Sequence, residues 1–428
     1  MTVRRDWWFL FCLAAQGCLV LASSVWARSG SAPSTVVICL GLSFAPYAGL
    51  LALAPAFDKR SLDRVAAIAA LLFGVAFVLA PPVMSDDLYR YLWEGRLWLE
   101  GVNPYRLAPD DPALAYLRDG SWKPINNKAL VSIYPPLAQL SFVVAAWLGG
   151  EVWIIKALAL AAHVVSVLTV ARIASGRRAA LALALNPLLL AEAALNGHFD
   201  ILTGLALLLT AWALARNRIV KAGVAVCAAV GLKVVGLVLL PLFARTPKAL
   251  GAISLVCGSL LVPLVWWRPL LDDGSGPGQF ATRWQGNESF FAIVDWLARQ
   301  VLSADAAATC SRVVVTAALL VLWAVLLRRR LSPLDASRVV LWAVLLLSPQ
   351  VHPWYLAWLL PLEVLAGGVA GLVWSGAVLL SYVPLDRWVR EGVWDMPAWV
   401  QLLSYAIVLI ALILDPRRPR LRPSPGAS

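Results

Sequence analysis

Apolar runs broken by short polar segments recur from one end of the chain to the other. The stretches 7–27, 34–57, 65–82, 152–174, 307–327 and 398–414 are each long enough, or nearly so, to cross hydrocarbon as one helix, which takes about 20 residues. Shorter runs at 335–349, 354–366 and 369–383 fit the same plan. In the polar region after Pro82, Leu88, Tyr91, Leu92 and Gly95 recur at helical spacing. An amphipathic helix lying along the interface is expected over Leu88–Leu99, capped by Ser85 or Asp86 and stopped by Gly101 and Pro104. The pattern predicts an all-α polytopic membrane protein of about 11–14 transmembrane helices with external juxtamembrane helices. One integral-membrane domain is expected over 1–415, with external loops at 83–133 and 268–300 and a cytoplasmic basic tail at 416–428.

Composition narrows the class without moving it. Of 428 residues, 61% are hydrophobic and 14% charged, a balance that a soluble core of this size would not carry end to end. The 21 tryptophans suit two interfacial belts. The net charge of +12 does not point to nucleic acid, because the basic residues sit in short clusters between spans. Arg4-Arg5, Lys59-Arg60 and Arg328-Arg329-Arg330 are examples. Placing these clusters in the cytoplasm sends 7–27 outward, returns 34–57 and sends 65–82 out again, so that Asp86 and Asp87 face the extracytoplasmic side. Counting back from the tail, which its Arg and Pro content predicts to be disordered, puts loop 268–300 and His352 on the same side. Residues 1–27 have the outline of a secretory signal, but the apolar run is long for one and reads as a membrane anchor. No internal repeat of the transporter kind is visible. The cysteines Cys12, Cys18, Cys39, Cys227, Cys257 and Cys310 sit in apolar stretches without metal-ligand spacing, and free buried thiols are expected.

Charge counting fails in the middle of the chain. Three apolar stretches, 134–149, 152–174 and 179–195, precede Asn196–Asp200, one too many if Arg216 and Arg218 are to end inside. One stretch is then re-entrant or split, and the first, which opens with Pro135-Pro136, is the expected one. Ile219–Phe243 has basic residues on both sides and reads as two half-helices meeting near Gly231-Leu232-Lys233, which brings Lys233 toward the outer side.

Several polar groups carry candidate chemistry. Adjacent acids at a membrane boundary cost free energy that a helix cap alone does not require, and Asp86-Asp87 is such a pair. Asn196-Gly197-His198-Phe199-Asp200 opens another span, where capping by Asn196 or Asp200 is the plain structural reading. Lys233 is a lone amine among Ala, Val, Leu and Gly; unless it snorkels, it needs a counter-ion or an anionic ligand. His352 lies in the turn Ser348–Tyr355, and taken alone it is read as structural. Loop 268–300 carries Asp272-Asp273, then Gly274, Gly276 and Gly278, and Asn287-Glu288-Ser289. Its glycines suit a lid or a simple loop better than a phosphate cradle, because no strand–loop–helix context surrounds them.

As an ordered set these residues resemble the GT-C superfamily of integral-membrane glycosyltransferases, and within it the polyprenol-phosphate-mannose-dependent mannosyltransferases of glycosyltransferase family 87. The resemblance rests on Asp86-Asp87-Leu88-Tyr89-Arg90-Tyr91 after a span, Gly101–Tyr105, Tyr134-Pro135-Pro136, Asn196–Asp200, Lys233 ahead of Leu240-Pro241, and Asn287–Ser289. In many such enzymes the acid-bearing loop follows the first span; here it follows the third, which two additional N-terminal spans explain. The resemblance implies a GT-C-like fold in the bacterial cytoplasmic membrane with an extracytoplasmic active site. It implies an inverting glycosyltransferase that moves a sugar, with mannose expected, from a polyprenyl-phosphate donor to a lipid-linked or glycan acceptor. Asp87 would be the catalytic base and Asp86 its alternate. Lys233 would hold the leaving phosphate, with Arg90, Arg96 and Arg283 as alternates. Tyr91, Tyr134, Asn196, His198, Asp200, Asn287 and His352 complete the implied substrate-binding set. No cofactor is firmly implied; a divalent metal is compatible with the Asp and His content, though no spacing demands one. Membrane lipids are expected partners and nucleic acid is not. A transporter or flippase of lipid-linked sugars is the alternative, since it too needs a charged cavity and broken helices; the lack of repeats counts against it.

Overall fold

The structure is a computed structural model that describes residues 2–266, 276–329 and 331–417. Asp272, Asp273 and Gly274 of loop 268–300, Arg330, and the tail from Arg418 onward lie outside the described residues. In chain order the first helices are α1 (Thr2–Arg28), α2 (Pro33–Leu53), α3 (Lys59–Val78), α4 (Asp87–Leu99), α5 (Pro136–Trp147) and α6 (Val152–Ile173). Then come α7 (Ala179–Ala184), α8 (Pro187–Ala194), α9 (Asp200–Leu214), α10 (Ile219–Leu232), α11 (Pro247–Trp266) and α12 (Gly276–Arg283). The last are α13 (Phe290–Ala298), α14 (Ala304–Arg329), α15 (Pro333–Leu347), α16 (Leu356–Ala366), α17 (Ala370–Ala377), α18 (Leu385–Glu391) and α19 (Ala398–Leu414). Among the described residues, helices α1, α2, α3, α6 and α14 are long and apolar enough to cross a membrane, and seven shorter apolar helical segments of 10–17 residues accompany them. The expected class, an all-α polytopic membrane protein, is the one observed.

Two compact units form, one from Met1–Leu88, Glu151–Leu202 and Leu360–Arg418, the other from Tyr89–Gly150 and Thr203–Leu359. In the first unit α1 packs on α2, and α3 packs on α6 and α7. Gln16 of α1 donates to the Leu185 carbonyl at 2.6 Å and Tyr47 of α2 to the Ala182 carbonyl at 2.7 Å, so both helices reach the end of α7. The split expected in 134–149 falls instead in 179–195. Asn186 accepts from the Leu189 amide and Pro187 takes the first position of α8, a cap-and-proline start inside an apolar run. Pro135 and Pro136 stand at the entrance of α5, where proline is tolerated, and leave that helix whole.

The second unit contains the break expected at Lys233. The residue is extended, with φ −157° and ψ 136°, between α10 and a 3₁₀ segment over Val234–Phe243. The helix expected at Leu88–Leu99 is also present, one residue longer, and Gly101 follows it at φ +72°. It is not the surface helix of the prediction, because the loop after it folds back over it. Trp93 and Leu97 are buried with Leu114, Leu117 and Ile125, each worth about 1.5–3 kcal/mol of burial. Across the helix, Gly95 lies so close to α5 that a Cβ would strike the Phe142 carbonyl. The glycine-rich part of loop 268–300 is helical from Gly276, which abuts the Val131 carbonyl with no room for a side chain. The six cysteines are free as expected, but only Cys257 is buried, since Cys18 and Cys310 stand on outward faces of apolar helices.

Candidate active site

Asp86 ends the loop after α3 and Asp87 opens α4, and both are half-buried. The Asp87 amide donates to the Ser85 hydroxyl at 3.3 Å, so Ser85, one of the two expected caps, accepts at the start of α4. Lys156 of α6, fully buried, donates to the Phe77 carbonyl at 2.8 Å and to the Ala80 carbonyl. It thereby closes the C-terminal end of α3 just ahead of the acids. Gly197, at φ +74°, lies against Ile155, Lys156 and Leu88, which sets the turn Asn196–Asp200 beside the same loop.

Asn196 does not cap α9, which starts at Asp200; it turns back onto α8. Its Nδ2 donates to Glu192 Oε2 at 3.0 Å, and His198 Nε2 stands 3.6 Å from the same oxygen. The other oxygen, Oε1, accepts from the Tyr382 hydroxyl at 2.5 Å. Asp87 and Asp200 are near enough to act on the charge of Glu192, and Asp87 acts on Tyr382 as well. The first unit therefore brings Asn196 and His198, two of the expected residues, onto Glu192, and the turn that carries Asp200 beside the loop that leads to Asp87.

A second set assembles in the other unit. Gly286 and Gln350 pair as a parallel bridge, and Asn287, at φ +53°, donates from Nδ2 to the Val351 carbonyl at 3.1 Å. The bridge joins the Asn287–Ser289 motif to the turn that bears His352. The His352 ring stacks on Trp354 at 4.3 Å between centroids, and its Nε2 lies 2.6 Å from Gln350 Nε2. Burial, reinforced by the nearby Lys233 charge, lowers the His352 pKa from 6.5 to about 3, so the ring is neutral at physiological pH. The Lys233 ammonium stands 4.9 Å from the centre of the Tyr355 ring and 5.4 Å from that of Trp358.

Arg90 is placed differently from the expected phosphate ligand. Its Nε donates to Glu94 at 2.8 Å, and its Nη atoms donate to the carbonyls of Asn127 at 3.0 Å and Leu130 at 2.5 Å. Glu94 in turn accepts from Ser132 at 2.7 Å and Gln139 at 2.5 Å. This buried network pins the loop 100–135 to α4 and α5. Tyr91 stacks on Phe142 at 4.5 Å and meets Tyr134 edge-on at 5.2 Å. The hydroxyl of Tyr105 donates to the Tyr134 carbonyl at 2.6 Å, and burial, with the Glu94 charge, raises its pKa. Arg96 pairs with Asp119 at 2.6 Å on the loop surface, where the Ser121 hydroxyl holds that carboxyl below its usual range. Arg283 is exposed at the end of α12.

Sequence reasoning missed Glu192, Tyr382, Lys156 and the Glu94 network as members of these sites. A signal existed for two of them, since Lys156 and Glu192 are lone charges inside apolar runs, as Lys233 is. Among the described residues no three His, Cys, Asp or Glu side chains are grouped so as to hold a metal ion.

One known family matches. The model of the alpha-(1->6)-mannopyranosyltransferase N-terminal domain (MptA_B family) covers residues 13–249, more than half of the chain, and takes in the acid pair, Asn196–Asp200 and Lys233. Neither a curated protein nor a solved structure matches the chain significantly.

Proposed function

The chain belongs to the alpha-(1->6)-mannopyranosyltransferase family of membrane glycosyltransferases, and on that footing we propose that it transfers mannose from a polyprenyl-phosphate carrier to a glycolipid or glycan acceptor outside the cytoplasm, inverting the anomeric carbon. The observation that carries the reading is the half-buried Asp87 carboxylate at the start of α4, set after a span and beside the turn Asn196–Asp200. Asp87 takes the proton of the acceptor hydroxyl as that oxygen bonds to the anomeric carbon. The bond from that carbon to the phosphate oxygen breaks, and its electron pair leaves with the phosphate. A single displacement of this kind needs no covalent enzyme intermediate. Asp86 is the alternate base.

The departing phosphate gains charge and calls for a cation. Lys233 is assigned that part, its ammonium held over two aromatic faces. Arg90 and Arg96 are committed to Glu94 and Asp119, and Arg283 remains a named alternate. His198 and Asp200 are assigned to orienting one substrate, and Asn287 and His352 the other. Tyr91 and Tyr134 are assigned to substrate contact through the edges of their aromatic cluster. No step is routed through a metal, and a divalent ion stays compatible with the reaction. The setting that suits such a donor is the bacterial cytoplasmic membrane, with the reaction on its outer side.

The test is to incubate the purified protein with a panel of polyprenyl-phosphate sugars, and separately with nucleotide-linked mannose, and to follow donor loss. Consumption of polyprenyl-phosphate mannose supports the reading. Consumption of the nucleotide sugar alone contradicts the donor assignment. Movement of intact carrier between leaflets, with no cleavage, would make the protein a transporter.

A further inference from the structure

None of the steps above uses Gln350, yet its backbone is tied on every side. Its amide donates to the Ser348 hydroxyl at 3.2 Å, and that hydroxyl donates to the Gln350 carbonyl at 2.6 Å. Gly286 holds both neighbours: its amide donates to the Pro349 carbonyl and its carbonyl accepts from the Val351 amide, each at 3.0 Å. From this frame the side chain reaches His352, with Nε2 lying 2.6 Å from His352 Nε2. An amide nitrogen only donates, so the ring nitrogen accepts and the imidazole proton sits on Nδ1. Trp354, stacked on the ring at 4.3 Å, fixes it from one face. The other end of the amide differs. Oε1 is buried, and among the described residues no donor reaches it. A buried acceptor left unpaired costs free energy, and a side chain aimed this firmly keeps one where a ligand supplies the donor.

Tyr355 sets this pair beside the cation assigned to the donor. Its ring has the Lys233 ammonium 4.9 Å from its centre and meets the His352 ring edge-on at 5.2 Å. A sugar carried on a phosphate at Lys233 therefore has one aromatic ring between its phosphate and the His352–Gln350 pair. The ionised phosphate has no proton to give Oε1, and the polyprenyl chain has no polar hydrogen. A sugar hydroxyl has one, and because it both donates and accepts it answers the amide in either orientation. We propose that Gln350 is a specificity-determining residue for the donor: Oε1 accepts a hydrogen bond from one hydroxyl of the transferred sugar, while Nε2 holds His352 in its Nδ1-protonated form. A sugar without that hydroxyl leaves the buried oxygen unpaired and is rejected. The inference rests on the assignment of Lys233 to the donor phosphate and adds the sugar to that site.

The experiment measures kcat/KM of the purified full chain for polyprenyl-phosphate mannose and for the mono-deoxy mannoses on the same carrier, each lacking the hydroxyl at C2, C3, C4 or C6. For one of these the ratio of mannose to deoxy donor should be large in wild type and collapse in Gln350→Met. The collapse should be roughly 5- to 150-fold, the cost of leaving one buried acceptor unpaired. For the other deoxy donors the ratio should stay within about twofold of wild type. Differences in intrinsic reactivity between the sugars cancel when variant and wild type are compared. A purely structural amide would lower every donor by one factor and keep all the ratios, and that result overturns the proposal.

Gln350→Asn keeps an amide but draws its oxygen back by one carbon, and it decides by the same ratios if Gln350→Met does not accumulate. The two ways of failing are distinct. Wild-type protein that transfers mannose from this carrier, with ratios unchanged in the variant, sinks the Gln350 assignment and leaves the donor reading standing. Wild-type protein that consumes none of these carriers sinks the donor reading, and the inference falls with it.

Discussion

Asn287 donates from Nδ2 to the Val351 carbonyl at 3.1 Å, joining two loops that are 64 residues apart in sequence. The bond fixes the turn that carries His352, and it depends on a backbone at φ +53° that asparagine tolerates and branched residues do not. Asn287→Gly should relax the backbone but lose the bond, costing about 1 kcal/mol in detergent thermal unfolding. Asn287→Val should cost about 1–3 kcal/mol more from strain. Equal stability of the two variants would show that the left-handed turn does not limit this position.

Lys233 lies over two aromatic rings, and the amine is expected to bind the donor phosphate. Lys233→Met should weaken donor binding and transfer roughly 10- to 150-fold, the loss of one charge-assisted hydrogen bond of about 1.5–3 kcal/mol. Lys233→Arg should rescue only part of it, because the planar guanidinium needs more room. Folding should survive in Lys233→Met. A variant that unfolds readily yet turns over donor at the normal rate would make the lysine a structural cation.

Arg90 tests the other side of the reading. Its guanidinium is committed to Glu94 and to loop carbonyls. Arg90→Met should therefore strand Glu94 and cost about 3–5 kcal/mol, seen as loss of folded protein in detergent. Arg90→Lys should rescue poorly, since one ammonium cannot span the same acceptors. A stable Arg90→Met protein with weakened donor binding would restore Arg90 as a phosphate ligand.

These contrasts show which features sequence can carry. The break at Lys233 was legible because basic residues flank a single apolar stretch and Gly231 precedes the lysine. The split at Asn186-Pro187 had an explicit start signal, but a hydrophobic run of the right length masked it. The helix after the acids was legible by spacing, whereas its burial was not, because the cover comes from a loop whose own pattern is irregular. Arg90 sits in a motif that suggests phosphate, and only the folded loop reveals that its partners are backbone carbonyls. Tyr382 left no trace, since an aromatic residue near the end of an apolar segment has an ordinary interfacial explanation.

His352 gives a pH dependence with a definite sign. Its pKa is about 3 in the folded protein against 6.5 ordinarily, by burial first and the Lys233 charge second. Between those values the unfolded chain binds a proton that the folded one refuses, so this residue's contribution to stability is present above pH 6.5 and is lost as pH falls toward 3. The drop in detergent melting temperature from pH 7.5 to pH 5 should thus be smaller in His352→Gln than in wild type. An equal drop would mean that the ring titrates normally.

The central claim is that Asp87 accepts the proton of the attacking hydroxyl, and single-turnover transfer of mannose by Asp87→Asn tests it most directly. The substitution keeps size and removes basicity. Protein that inserts and purifies normally should transfer mannose on the order of 10²–10⁴-fold more slowly, with Asp86→Asn affected less. Wild-type transfer rates in both single variants would contradict the assignment.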